Sequence, residues 1–265
     1  MSLTIPYISP VAFSVLGLDI RWYALAYIAA FVVGYWLFRR LISMPGAMVS
    51  LSKKQLDDLL TAIIVGVILG GRIGYVLFYN LGYYLSHPLE IFALWHGGMS
   101  FHGGLLGVLA AVFIFARRQR INAWRILDVM SVVAPIGLFF GRIANFINRE
   151  VMGRPTDSAF GVVFEGDAPI PRHASPLYEA ATEGVLLFIL MYCLYRYTNL
   201  KSRPGALGGI MGMCYAVFRM FCELFRAPDA QLGFLTSWGL TMGQLLSSVM
   251  FFAGAIIFMI AIRKK

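Results

Sequence analysis

Residues 58–79 read DLLTAIIVGVILGGRIGYVLFY, a run in which Asp58 and Arg72 are the sole charged residues. About 20 apolar residues form a helix long enough to cross the hydrocarbon layer of a bilayer, and the chain repeats this pattern. Apolar helices are expected at about 19 to 38, 58 to 79, 98 to 116, 126 to 147, 177 to 196, 206 to 225 and 240 to 262. The bulk agrees, since 59% of the 265 residues are hydrophobic and 13% are charged, with a mean hydropathy of +0.75. Seven spans leave room for loops and a small cap but not for a separate soluble domain. The expectation is an all-α polytopic membrane protein, a single integral membrane domain over residues 1–265.

The charges set the topology. Arg39, Arg40, Lys53 and Lys54 lie between the first and second spans, and Arg117, Arg118, Arg120 and Arg125 between the third and fourth. Arg196, Lys201 and Arg203 lie between the fifth and sixth, and Arg263, Lys264 and Lys265 follow the seventh. With seven spans every cluster falls on one side, which makes that side and the C-terminus cytoplasmic and the N-terminus external. The net charge of +9 is therefore a membrane-orientation signal rather than a nucleic-acid footprint. The N-terminus lacks a basic region ahead of Arg21, so the first span is expected to act as an uncleaved anchor. Cys193, Cys214 and Cys222 lie in apolar stretches without CxxC spacing, so neither disulfides nor a thiolate metal site is expected.

The remaining basic residues are all arginines: Arg21, Arg72, Arg142, Arg149, Arg154, Arg172, Arg219 and Arg226. An arginine within a span is costly in hydrocarbon and normally faces a protein or water-filled interior opposite an anion. Its planar, bidentate fork suits phosphate better than an ammonium does. The bland reading pairs these arginines with internal carboxylates such as Glu223 and Asp19, or lets them snorkel to headgroups.

Several constellations can carry chemistry. In GRIANFINREVMGRPTD (141–157), Arg142, Asn145 and Arg149 share one face of a continuing helix, and Gly153 and Pro155 are expected to stop it. An outer segment at about 150–175 follows, too polar for lipid and placed to cap a site. In HGGMSFHGG (96–104), glycines around His96 and His102 allow sharp turns and close backbone approach. A neutral imidazole there accepts a proton near pH 7, although a structural histidine is the commoner case. Tyr215, Arg219, Glu223 and Arg226 draw a polar stripe down the sixth span, read as an internal Arg219–Glu223 pair with Arg226 left for the site. Glu179 and Glu183, one turn apart, can balance arginines. Gly70-Gly71-Arg72-Ile73-Gly74 reads as a close helix contact beside a structural arginine. Tyr23 is either an interface anchor or a hydrogen-bond donor. No cofactor or metal motif is visible.

HGGMSFHGG at 96–104, GRIANFINREVMGRPTD at 141–157 and FRAPDAQLG at 225–233 together resemble the bacterial phosphatidylglycerol:prolipoprotein diacylglyceryl transferases. The likeness runs over nearly the whole chain from Ser9-Pro10-Val11-Ala12-Phe13 and Ile20-Arg21-Trp22-Tyr23 onward. It implies transfer of a diacylglyceryl group from phosphatidylglycerol to the lipobox cysteine thiol of preprolipoprotein signal peptides. It further implies release of glycerol phosphate, with the active site at the extracytoplasmic face of the bacterial inner membrane and among membrane lipids. The family's essential histidine falls on His102, its key arginines on Arg142 and Arg226, and its motif asparagine, glutamate and glycine on Asn145, Glu150 and Gly153. Its first-span tyrosine falls on Tyr23. The resemblance thus makes His102, Arg142 and Arg226 catalytic, and makes Tyr23, Arg142, Asn145, Glu150, Gly153 and Arg226 headgroup-binding. One departure is visible: where the family reads His-Pro-Ser-Gln-Leu-Tyr-Glu, this chain has His173-Ala174-Ser175-Pro176-Leu177-Tyr178-Glu179.

The competing readings are a transporter for an anionic solute or lipid, against which the halves show no inverted repeat, and a purely structural membrane scaffold. An intramembrane serine protease built on Ser100 and His102 lacks the GxSG-type nucleophile turn.

Overall fold

The computed structural model describes residues 2–166, 168–228, 233–236 and 239–263. In chain order the elements are strands β1 (Leu3–Ile5), β2 (Val11–Val15) and β3 (Leu18–Arg21), then helices α1 (Trp22–Ile42), α2 (Lys53–Tyr79), α3 (Leu81–Ser86), α4 (Phe101–Gln119) and α5 (Ala123–Ile147). Strand β4 (Val162–Phe164) and helices α6 (Ser175–Tyr197), α7 (Ala206–Glu223) and α8 (Met242–Arg263) complete the order. Seven of these helices are long and apolar enough to cross a membrane, as the sequence led us to expect. Their outward faces are apolar, with Ile28, Val32, Leu69 and Phe252 each more than half exposed, which is the surface a lipid solvent requires. Lys264 and Lys265, of the C-terminal basic cluster, lie outside the described residues, as does Asp229.

The chain divides into two compact units, one formed by residues 42–127 and the other by 1–41 with 128–265. In the 42–127 unit, α2 begins five residues before the expected start because Ser52 and Gln55 close a capping box: Gln55 N–H donates to Ser52 Oγ and Ser52 N–H to Gln55 Oε1. Helices α2 and α4 pack antiparallel in a register marked by Gln55 Nε2 donating to Gln119 Oε1 (3.1 Å) at one end. Farther along, Gly66 faces Gly107 and Gly70 faces Gly103. A Cβ on Gly70 would lie 2.7 Å from the Gly107 Cα, so the backbones meet where only glycine fits. The sequence expectation for this glycine-rich contact is met.

In the other unit, β2 and β3 form an antiparallel hairpin closed by Leu16 (φ 51°) and Gly17 (φ 80°). The hairpin claims residues 18–21, so α1 starts at Trp22 rather than at about 19. Asp19 accepts from Ser14 Oγ across the hairpin at 2.6 Å. Strand β1 pairs in parallel with β4, and Val162, Phe164 and Ala174 pack with Ile5, Phe146, Met152 and Leu177 into a small apolar core. The 150–175 segment therefore has packing of its own. Helices α7 and α8 touch at Gly209 and Gly254. Fully buried Asp128 on α5 accepts the Gly205 and Gly208 amides at 2.6 and 2.7 Å, supplying from a neighbouring helix the anionic cap that the N-terminus of α7 lacks in its own sequence.

Candidate functional site

The dense polar cluster is built by α5, α6 and α7. Gly184 on α6 has no Cβ to collide with Phe139 of α5, which would lie 2.7 Å away, so the two helices close up. One turn farther along α5, Arg142 meets the carboxylates of α6. Its Nε lies 2.8 Å from Glu179 Oε2 and its Nη2 3.1 Å from Glu183 Oε2. Residues Ala180–Leu186 form a π-helical stretch, the kind of widened turn that recurs at functional sites, and it begins directly after Glu179.

From α7, Arg219 Nη1 lies 2.8 Å from Glu179 Oε1, and Nη2 lies 2.7 Å from Glu223 Oε2. Arg226, just beyond α7, places Nη1 3.2 Å from the same Glu179 Oε1. The expected Arg219–Glu223 pair is present, but Arg219 is not confined to it. Glu179, with no exposed surface, joins Arg142, Arg219 and Arg226. Three arginines and three carboxylates thus balance within and just beyond the spans, which is how such charges persist there. The network is not closed: Arg142 remains 19% exposed at its side chain, and among the described residues its hydrogen bond and ion pairs run through Nε and Nη2, not Nη1.

A second cluster adjoins it on α5. Asn145, 8% exposed, donates through Nδ2 to Tyr23 Oη (3.4 Å) and to Glu150 Oε2 (3.0 Å), and Asn148 Nδ2 donates to Glu150 Oε1 (3.4 Å). Tyr23, Asn145 and Glu150 are thereby brought together although the tyrosine is remote in sequence. Glu150 takes its donors here from these two side-chain amides.

Arg149 does not share the face of Arg142 and Asn145. The helix stops at Ile147, before Gly153 and Pro155, through a Schellman closure: Glu150 N–H donates to Asn145 O and Arg149 N–H to Phe146 O. Arg149 takes the left-handed position at φ 58°, where glycine is usual, and its guanidinium lies over the rings of Tyr7 and Phe164 at 4.6 and 5.0 Å. Local hydrogen bonding overrode the helical periodicity that joined the three residues.

Gly153 sits where three backbones cross. Its N–H donates to His173 O (2.9 Å) and it bridges to Arg226, and a Cβ would lie 2.5 Å from Phe225 O and 2.6 Å from His173 Cβ. Arg154 then donates through Nε to Arg226 O at 2.8 Å, bracing the turn that carries Arg226. Pro176 falls in the first turn of α6, where a missing N–H leaves no intrahelical bond unmade. The departure from the family wording therefore leaves Tyr178 and Glu179 in place, with Tyr178 Oη 3.3 Å from His173 Nδ1.

His102 belongs to the 42–127 unit. It stands exposed in the first turn of α4, edge-on to Phe101. His96 is paired with Glu90 Oε2 at 2.9 Å and is largely exposed. Sequence reasoning missed Asp128, because a single carboxylate near a span's start reads as an interface residue and its partners lie 77 and 80 positions away. It also missed that Glu179 serves three arginines.

Fold and site together define a multi-pass membrane protein with a buried cluster of guanidinium, carboxylate and amide groups, in which the guanidinium and amide N–H groups are donors suited to an anionic phosphate-bearing molecule. The family model for prolipoprotein diacylglyceryl transferase matches residues 10–260. The Rhodospirillum rubrum protein named phosphatidylglycerol–prolipoprotein diacylglyceryl transferase is 48% identical over 265 residues, covering 100% of this chain and 96% of the relative. Proteins of the same name from Methylocella silvestris and Azospirillum brasilense are 51% identical over 263 and 257 residues, covering 98% and 96% of this chain and 96% and 94% of each relative. The chain belongs to the prolipoprotein diacylglyceryl transferase family.

Proposed function

We propose that this chain transfers a diacylglyceryl group from phosphatidylglycerol to the lipobox cysteine of preprolipoprotein signal peptides, forming a thioether and releasing glycerol phosphate. It acts as one integral membrane domain of the bacterial inner membrane with its 150–175 segment as an extracytoplasmic cap, the N-terminus outside and the C-terminus cytoplasmic. The charge clusters of the loops support that orientation.

The peptide thiol, with a pKa of ~8.5, is mostly protonated at neutral pH. His102 takes its proton. The sulfur then attacks the glyceryl carbon that bears the phosphate, the carbon–oxygen bond breaks, and its electron pair leaves with the phosphate. Charge on the departing oxygens grows as that bond lengthens, so Arg142 and Arg226 stabilise the transition state more than the bound lipid. Asn145 and Tyr23 orient headgroup oxygens, Glu150 holds Asn145 in place, and Gly153 fixes the backbone beside Arg226.

The observation that carries this reading is Arg142: a span guanidinium anchored on two edges by Glu179 and Glu183, still partly exposed, and on the same helix face as Asn145. Purified protein given phosphatidylglycerol and a lipobox-cysteine peptide is expected to yield thioether-linked diacylglyceryl peptide and glycerol phosphate. Lipid movement without that product would favour the transporter reading instead.

A further inference from the structure

Arg72 is a span arginine that the proposed chemistry leaves unused, and it is 3% exposed. Its guanidinium meets backbone carbonyls. Nε donates to Ile91 O (2.8 Å), Nη1 to Gly97 O and Gly98 O (3.1 Å), and Nη2 to Glu90 O and Ala93 O (3.2 Å). Arginine has five N–H donors, and five carbonyls receive them. The ring of Tyr84 lies 5.1 Å from the guanidinium carbon. Gly97 and Gly98, at φ 77° and 80°, turn the chain so that both carbonyls face Arg72. A Cβ on Gly98 would lie 2.5 Å from the Tyr75 ring and 3.0 Å from Arg72 Nη1, so the close approach that this glycine allows is to the protein's own tyrosine and arginine.

The register of α2 and α4 gives the depth of this arrangement. Ser100 N–H donates to Gly71 O at 2.9 Å, so α4 starts level with Gly71. Helix α2 continues to Tyr79, eight residues or ~12 Å farther. The chain between them leaves the end of α2, turns, and descends by that distance before α4 begins. Its descending part is two short 3-10 turns, Pro88–Phe92 and Leu94–His96. Irregular backbone inside a bilayer has no water to satisfy it, so a segment at that level would need internal donors for its carbonyls. Between Leu85 and Phe101 the side chains of Leu85, Leu89, Phe92, Trp95 and Phe101 are each at least 68% exposed, beside exposed Ser86, His87 and His96.

We propose that Arg72 is a positioning residue for His102: by standing in for water at five carbonyls it folds residues 87–98 back below the end of α2 and sets His102 within the bilayer's depth. There the imidazole meets a thiol and a glyceryl carbon beneath the headgroup surface. The enzymatic half of this inference rests on His102 being the base, whereas the depth does not.

The test uses full-length protein in phosphatidylglycerol vesicles, with the three native cysteines replaced by alanine and Phe101→Cys as the reporter. In the Arg72 background the reporter is expected to resist a water-soluble maleimide and to be protected by lipid. Arg72→Gln is expected to expose it and to lower kcat by about tenfold or more, as for a displaced general base, with KM for phosphatidylglycerol nearly unchanged. Arg72→Lys, with three donors for five carbonyls, is expected to fall between the two in both readouts. Rapid labelling in the Arg72 background overturns the proposal even if the variants fail to fold. So does unchanged labelling in Arg72→Gln, including the case where activity merely tracks the folded fraction. Activity retained in His102→Ala would remove the base while leaving the labelling result to decide the depth.

Discussion

Replacing Glu179 with glutamine is the sharpest perturbation of the arginine network. Glu179 has no exposed surface, and its two oxygens lie 2.8 Å from Arg142, 2.8 Å from Arg219 and 3.2 Å from Arg226. Glutamine keeps the shape but offers one acceptor oxygen and no charge, so three guanidiniums would share two carboxylates. Removing one partner of a buried pair costs about 3–5 kcal/mol. Glu183 and Glu223 retain Arg142 and Arg219, which places the expected loss at the lower end, about 3 kcal/mol. The catalytic effect should exceed the effect on stability, because Arg142 and Arg226 lose the anchor they share and each would reorganise as charge develops. A misplaced donor to developing charge costs on the order of 100-fold in kcat. Transfer from phosphatidylglycerol to a lipobox peptide, measured at saturating peptide alongside unfolding of the same variant, separates the two. Glu183→Gln, which touches Arg142 alone among the arginines, is the control and should lose less. Wild-type kcat in Glu179→Gln, or equal losses in the two variants, would refute the view that Glu179 sets the spacing of the site arginines.

Four further outcomes are expected. His102→Ala and Arg142→Ala each abolish transfer while the protein remains in the membrane, checked by product formation beside membrane fractionation. Asp128→Asn leaves one of the Gly205 and Gly208 amides without its acceptor and costs about 1–3 kcal/mol, read from denaturant unfolding. Gly70→Ala forces α2 from α4 and costs about 1–3 kcal/mol. Gly104→Ala, whose Cβ would meet Val67 O at an ordinary 3.7 Å, leaves unfolding nearly unchanged.

By itself the sequence determined the seven spans, because the length and apolarity that a bilayer demands are one-dimensional properties, read from runs such as 58–79. It also drew attention to Arg142 and Asn145, since polar groups in such runs have few reasons to be there, whereas Tyr23 was assigned to the site by family resemblance. Helix ends were less legible. Arg149 left the helix face because a Schellman closure competes with periodicity through hydrogen bonds only a few residues long, and Ser52 and Gln55 extended α2 by the same local means. What the tertiary structure alone decided was partnership. Glu179 reaches arginines 37, 40 and 47 positions away, Asp128 caps a helix two spans later, and Arg72 spends every donor on one loop. Each of these three choices follows from burying charge where water is absent: the partners lie on other helices or in a loop, at separations no pattern along the chain records, whereas the i,i+4 pair of Arg219 and Glu223 was visible in the sequence.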